Sequence, residues 1–162
     1  MNIEKYTTQL VELIARAQQI CLEQNNSTLD EAHVLSAALE NKESTIVSIL
    51  NMSSINLNDL SKSINSEMNT YPVIEHNDSS NLTISKKLNN ILNLCEKKSL
   101  EYGDKFISSE ILLICLIENK TLLSKLVNPN NNKNILDNIL SNIQKVRGSE
   151  KIVDKNIEQN RE

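Results

Sequence analysis

The sequence predicts an all-α fold, a four-helix unit written twice and packed as a pseudo-twofold eight-helix bundle. Three observations predict it. The stretches "EQNNSTLDEAHVLSAALENK" (23–42) and "EYGDKFISSEILLICLIENK" (101–120) overlay at a constant offset of 78 residues, sharing Glu23/Glu101, Leu35/Leu113, Glu40/Glu118, Asn41/Asn119 and Lys42/Lys120. Each is preceded by apolar side chains at helical spacing. Glycine and proline number two each and aromatics make up 2%, a composition that disfavours β-sandwiches, collagen-like chains and flexible linkers. A chain of 162 residues is the size of one domain and buries roughly two thirds of its unfolded surface, so a single core suffices.

Residues 4–24 carry Tyr6, Leu10, Leu13, Ile14, Ala17 and Cys21 on one stripe, which predicts the first helix. At the same offset Leu88, Ile91, Leu92 and Cys95 form the stripe of its copy, which Ser85 can cap and Gly103 can end in a left-handed conformation. Asp30 and Ser108 stand in N-cap positions before short apolar helices over 31–41 and 109–119. A third helix over 44–51 is answered at 121–128 after a one-residue slip, and a fourth over 57–69 at 135–146. Two repeats are too few for an open solenoid, so they are expected to close on each other about a pseudo-twofold axis. The expected domain covers 1–146, with repeats over 4–70 and 84–146 and a loop over 71–83 marked by Pro72 and by Asn, Asp and Ser. Residues 147–162 are polar with no sustained apolar stripe and read as a mobile tail or linker.

A net charge of −4, a single Phe and no Trp give no basic footprint for phosphate backbones and little to stack bases on, so nucleic acid is not an expected partner. The longest apolar run, "ILLICLI" at 111–117, is far short of a membrane span and the amino terminus has no apolar signal core, so a soluble cytoplasmic protein with no membrane partner is expected. Cys21, Cys95 and Cys115 lie within apolar stripes without CxxC spacing and read as small buried hydrophobes.

Gly103 and Gly148 are too far apart to form a phosphate-cradling loop. His33 and His76 lack metal-ligand spacing; His33 reads as a packed or capping histidine and His76 as a solvated loop residue. A small hydrolase using His33 or a cysteine would need convergent catalytic groups that the sequence does not offer. The reading is therefore a non-enzyme with no catalytic residue, metal or cofactor in this chain.

Two groups of residues stand out at one end of the repeats. Thr7 begins the first helix, Asp104 follows Gly103, and Glu110 lies in a helical first turn, where an acid complements the helix dipole by about 0.3–1 kcal/mol. Leu92, Leu94 and Ile111 are apolar at the same end, and Leu94 falls off the buried stripe of its helix.

The segments "AQQICLEQNNSTLDEAHVLSAALEN", "ILNMSSINLNDL", "NLCEKKSLEYGDKFISSE" and "VRGSEKIVDKN" resemble the duplicated amino-terminal domain of the Clp family of AAA+ ATPases, in particular the ClpB-type protein disaggregases, over residues 1 to about 150. The resemblance implies a module that recruits unfolded or aggregated polypeptide for threading by ATPase modules absent from this chain. It also implies a homohexameric, ATP-using parent and a monomeric isolated domain. Thr7, Asp104 and Glu110 match a polar trio important in that family, and Leu92, Leu94 and Ile111 match its apolar groove. Lys98 stands where the groove normally continues apolar, and its stem can cover apolar surface while its charge stays wet. The alternative is the adaptor-docking domain of a Clp protease unfoldase of ClpA or ClpC type.

Overall fold

The structure is a computed structural model that describes residues 1–75 and 82–160; His76 lies outside them. Its helices are α1 (Thr8–Glu23), α2 (Glu31–Glu40), α3 (Thr45–Met52), α4 (Leu57–Met68), α5 (Lys86–Glu101), α6 (Ser109–Glu118), α7 (Leu122–Val127) and α8 (Lys133–Arg147). Two-residue strands β1 (Thr28–Leu29) and β2 (Thr83–Ile84) pair in parallel, and short 3-10 turns cover Ile3–Lys5 and Ile157–Asn160.

Each of the eight helices starts at a residue whose side-chain oxygen accepts a backbone N–H of its first turn: Thr7, Asp30, Ser44, Asn56, Ser85, Ser108, Thr121 and Asn132. Such a cap typically contributes about 1 kcal/mol, so local chemistry fixes where each helix begins. Gly103 ends α5 with φ +73° as the spacing predicts, and Asn25, at the same offset of 78, ends α1 with φ +56°. Asparagine tolerates that region because its short polar side chain bonds locally.

The pseudo-twofold closure is visible in how the quartets exchange contacts. α3 packs on α6 and α8 of the second repeat, while its counterpart α7 packs on α2 and α4 of the first. The strand pair Leu29–Ile84 is likewise answered by the isolated parallel bridge Tyr6–Ile107, its image under the same offset. α2 and α6 run through the middle. α6 is buried from Ser109 to Ile117, as expected of a helix that is apolar on every side, and α2 is buried along most of its length. α1 and α5 cover them, and across the α5–α6 seam the neighbouring Cys115 and burial push the Cys95 thiol well above its ordinary value.

A buried acid ties the repeats together. Glu31, the first residue of α2, accepts N–H bonds from Leu122 and Leu123, each 2.8 Å, at the start of α7. Burial pushes its carboxyl up, against the pull of those two donors.

The segment after Gly148, expected to leave the body as a mobile linker, instead packs back onto it. Ile152 is fully buried, its carbonyl accepts from Lys105 N and Phe106 N, and the Lys155 carbonyl accepts from Thr8 N. The absence of an apolar stripe does not prevent this, because one buried side chain and a few backbone hydrogen bonds suffice to fasten a short extended segment.

Candidate functional site

The predicted polar residues do converge, and the side chains that join them come from α8 and from the segment beyond it. Arg147, buried at the end of α8, donates from one guanidinium nitrogen to Asp104 Oδ1 and places the other 3.6 Å from Glu110 Oε2. Its guanidinium stacks 4.7 Å from the centre of the Tyr102 ring, and Tyr102 Oη accepts from Gln144 at 3.0 Å. Thr7 Oγ1 caps α1 by accepting from Leu10 N at 3.3 Å and donates to Glu158 Oε1, which also accepts from Ser109 N at 3.2 Å. Burial pushes the Glu158 carboxyl up, opposed by the hydrogen bonds from Thr7 and Ser109. Neither Arg147 nor Glu158 was singled out from the sequence.

All three members of the predicted trio are covered: Thr7 and Glu110 are 0% exposed and Asp104 6%. The expectation that they touch substrate is corrected accordingly, since the protein's own segment 152–158 lies over Thr7 and Asp104 while Glu110 sits inside α6.

The predicted apolar groove is corrected too. Ile111 is 0% exposed, Leu92 6%, and only Leu94, at 39%, reaches the surface. Ile111 belongs to the all-round apolar α6, and two residues along α5 turn the helix by about 200°, so Leu92 and Leu94 lie on opposite flanks. Leu92 borders a cleft of about 110 Å³ beneath Met1, Lys5 and Tyr6. Lys98 is held by Glu118 at 2.9 Å and Glu101 at 3.3 Å, on the Leu94 flank.

A larger cleft of about 280 Å³ opens between α1 and α2, with Leu13, Ala37, Ala38 and Ile46 among its lining. Its rim is polar: Arg16 donates to both oxygens of Glu40, at 2.7 and 3.0 Å, and to Glu23 at 3.0 Å. Those bonds hold the Glu40 carboxyl below the usual carboxylate range, an effect of a solvent-screened pair with little weight for stability. At the offset of 78 residues Leu94 occupies the place of Arg16, so the exposed leucine is the second repeat's counterpart of this rim.

His33 caps α2 and does no visible chemistry. Its Nδ1 accepts from Asp30 N at 2.9 Å, which leaves Nε2 to carry the proton and donate to Asn26 Oδ1 at 2.9 Å. Desolvation lowers its pKa below the ordinary 6.5, against the charge of Asp30. The folded state then binds fewer protons than the unfolded state near pH 6, so the contribution of His33 is full above 6.5 and falls as the pH drops through the folded value. Glu31 and Glu158, with raised values, act in the opposite sense: their contribution is present at low pH and is lost as pH rises through the folded value. Urea titrations at pH 7.5 and pH 5.5 should therefore show wild type losing more stability on acidification than His33→Gln, by up to about 1.4 kcal/mol per pH unit. Equal losses would remove His33 from the pH response.

Among the described residues no group of three or more His, Cys, Asp or Glu is placed to hold a metal ion, and no helix is long and apolar enough to cross a membrane.

The family profile of the Clp repeat (R) N-terminal domain matches residues 5–130. The chain belongs to the Clp N-terminal domain family. Relatives of this Clp N-terminal domain include the chaperone protein ClpB of Pseudomonas putida, 28% identical over all of this chain and 19% of that protein, and ClpB of Helicobacter hepaticus, 31% identical over 76% of this chain and 15% of that protein. The chain thus spans less than a fifth of the length of these relatives. Among solved structures, the Hsp104 N-terminal domain from Candida albicans superposes with a TM-score of 0.77 at 17% identity, covering 95% of this chain and 99% of that one. The ClpV N-domain in complex with a VipB peptide superposes with a TM-score of 0.66 at 18% identity, covering 86% of this chain and 89% of that one. At those identities the likeness is one of fold, the fold derived above from the repeat.

Proposed function

We propose that this Clp N-terminal domain recruits unfolded or aggregated polypeptide for a ClpB-like AAA+ disaggregase, whose homohexameric, ATP-hydrolysing part lies outside this chain. The observation that carries the reading is the α1–α2 cleft, an open, apolar-floored recess of about 280 Å³ on a domain whose named sequence relatives are chaperones. A recess of that size takes one or two apolar side chains, each worth about 1.5–3 kcal/mol at full burial, and association entropy consumes much of that gain. Loose, micromolar or weaker binding of many clients is the consequence.

The anisotropy of a fluorescently labelled, reduced and carboxymethylated α-lactalbumin, a permanently unfolded chain, tests this. Leu13→Gln, in the cleft, and Leu94→Ser, on the second repeat's rim, should together weaken binding about thirtyfold with the fold intact by circular dichroism, since each removes about 1 kcal/mol of apolar contact. Unchanged affinity in a folded double variant would overturn the reading.

The polar rim favours a second reading, docking of one folded adaptor as in Clp protease unfoldases; the ClpV neighbour carries a defined peptide. That partner would bind tightly and with a steep salt dependence through Glu12, Arg16 and Glu40, whereas apolar capture of unfolded chains changes little with salt.

A further inference from the structure

The buried polar cluster at the Thr7–Asp104 end holds something specific, and the repeat says what. In each half, the residue after the left-handed helix stop grips the chain that follows the fourth helix. In the first repeat that residue is Asn26, after Asn25: its amide donates to the Pro72 carbonyl at 3.1 Å, and Ile74 N donates to Asn25 O at 2.8 Å. In the second it is Asp104, after Gly103: its carboxylate accepts from Ile152 N at 2.9 Å, and the Ile152 carbonyl accepts from Lys105 N at 2.7 Å. Asn26 and Asp104, and likewise Ile74 and Ile152, are related by the same offset of 78 residues.

The segment that leaves α8 is therefore seated where the first repeat seats its own connection onward, and it carries a second anchor. Glu158, buried, places its carboxylate between the Thr7 hydroxyl and the Ser109 N–H at the start of the ten-residue α6. A helix N-terminus leaves N–H donors unpaired, and here the chain supplies a carboxyl acceptor from its own sequence. Between the two anchors Val153, Asp154, Lys155 and Asn156 are exposed, as is Lys151 just before the first, so few buried contacts hold the segment. Such segments open separately from the core.

We propose that Thr7, Asp104 and Ser109, with Arg147 and Glu110 behind Asp104, form a latch for the chain's own residues 150–158. In this role the polar trio does not contact clients; it decides whether the segment running on from α8 is fixed to the body or free. Thr7 holds Glu158, Asp104 holds Ile152, and Glu110 helps keep Arg147 against Asp104.

Hydrogen–deuterium exchange and limited trypsin cleavage of the full chain test the latch. The informative amides are Thr8, Lys105, Phe106 and Ser109, which donate to the segment, and the informative cuts follow Lys151 and Lys155. Glu158→Ala and Ile152→Ser alter only the segment. Each should raise exchange at those four amides and the rate of those two cuts by about tenfold, while Leu113 and Ile114 in α6 keep their protection. Thr7→Val, on the body, should release the same amides. If the four amides and both cuts keep wild-type rates in Glu158→Ala and Ile152→Ser, or if wild type is already cut as fast as an unfolded peptide, the latch is refuted. Loss of protection throughout α6 in both segment variants would also refute it, because the segment would then be part of the core rather than a latch.

Discussion

Replacing Arg147 with methionine costs the domain about 3–5 kcal/mol, read from urea unfolding at neutral pH, because Asp104 is left buried without the cation that faces it. Methionine keeps most of the packing volume, so the loss reports charge and hydrogen bonding rather than a cavity. Arg147→Lys keeps the charge yet loses the planar fork that reaches Asp104 and Glu110 together and stacks on Tyr102, and it should fall between the two. The decisive comparison is the double variant with Asp104→Asn, which removes the orphaned charge and should recover about 1–3 kcal/mol relative to additive losses. A strictly additive double variant would mean that the two side chains do not depend on each other.

Ile111→Ser should be nearly as costly, about 3–5 kcal/mol, since it removes most of a fully buried side chain from the central helix and puts a hydroxyl among apolar neighbours. Leu94→Ser, on the exposed flank of α5, should cost under about 1 kcal/mol. The contrast separates two roles that the resemblance joins in one groove. If Ile111→Ser left the urea midpoint unchanged, α6 could not be the buried axis described above. For the same reason Ile111→Ser is unsuitable as a probe of client binding, because any lost affinity would follow from lost structure.

The eight helices and their order are legible in the residues because each signal is local. N-caps such as Asp30, Ser85 and Ser108 act within one turn, the apolar stripes of α1 and α5 repeat every three or four residues, and Gly103 stops a helix through its own backbone freedom. The extent of the first helix is overestimated, since residues 3–5 form a separate 3-10 turn and α1 begins at Thr8, set by the Thr7 cap. The burial of Ile111 had a readable signal: at the offset of 78 it takes the place of His33, and it lies in a helix apolar on all sides. The docking of Ile152 had one as well, its correspondence to Ile74, although a single apolar residue in a polar stretch leaves no periodic trace. Glu158 left none, for its partner Thr7 lies 151 positions away.

The sequence by itself determined a duplicated all-α domain, where its helices begin and end, and its membership among Clp N-terminal domains, because caps, stripes and repeats are short-range patterns carried by consecutive residues. Only the tertiary structure decided that Arg147 neutralises Asp104, that Glu158 fills the space between Thr7 and Ser109, and that the open apolar recess lies between α1 and α2. The physical reason is that burial and charge pairing depend on which distant segments the closed bundle brings within a few ångströms, and a side chain such as Thr7 looks the same in the sequence whether it faces water, a client or its own chain.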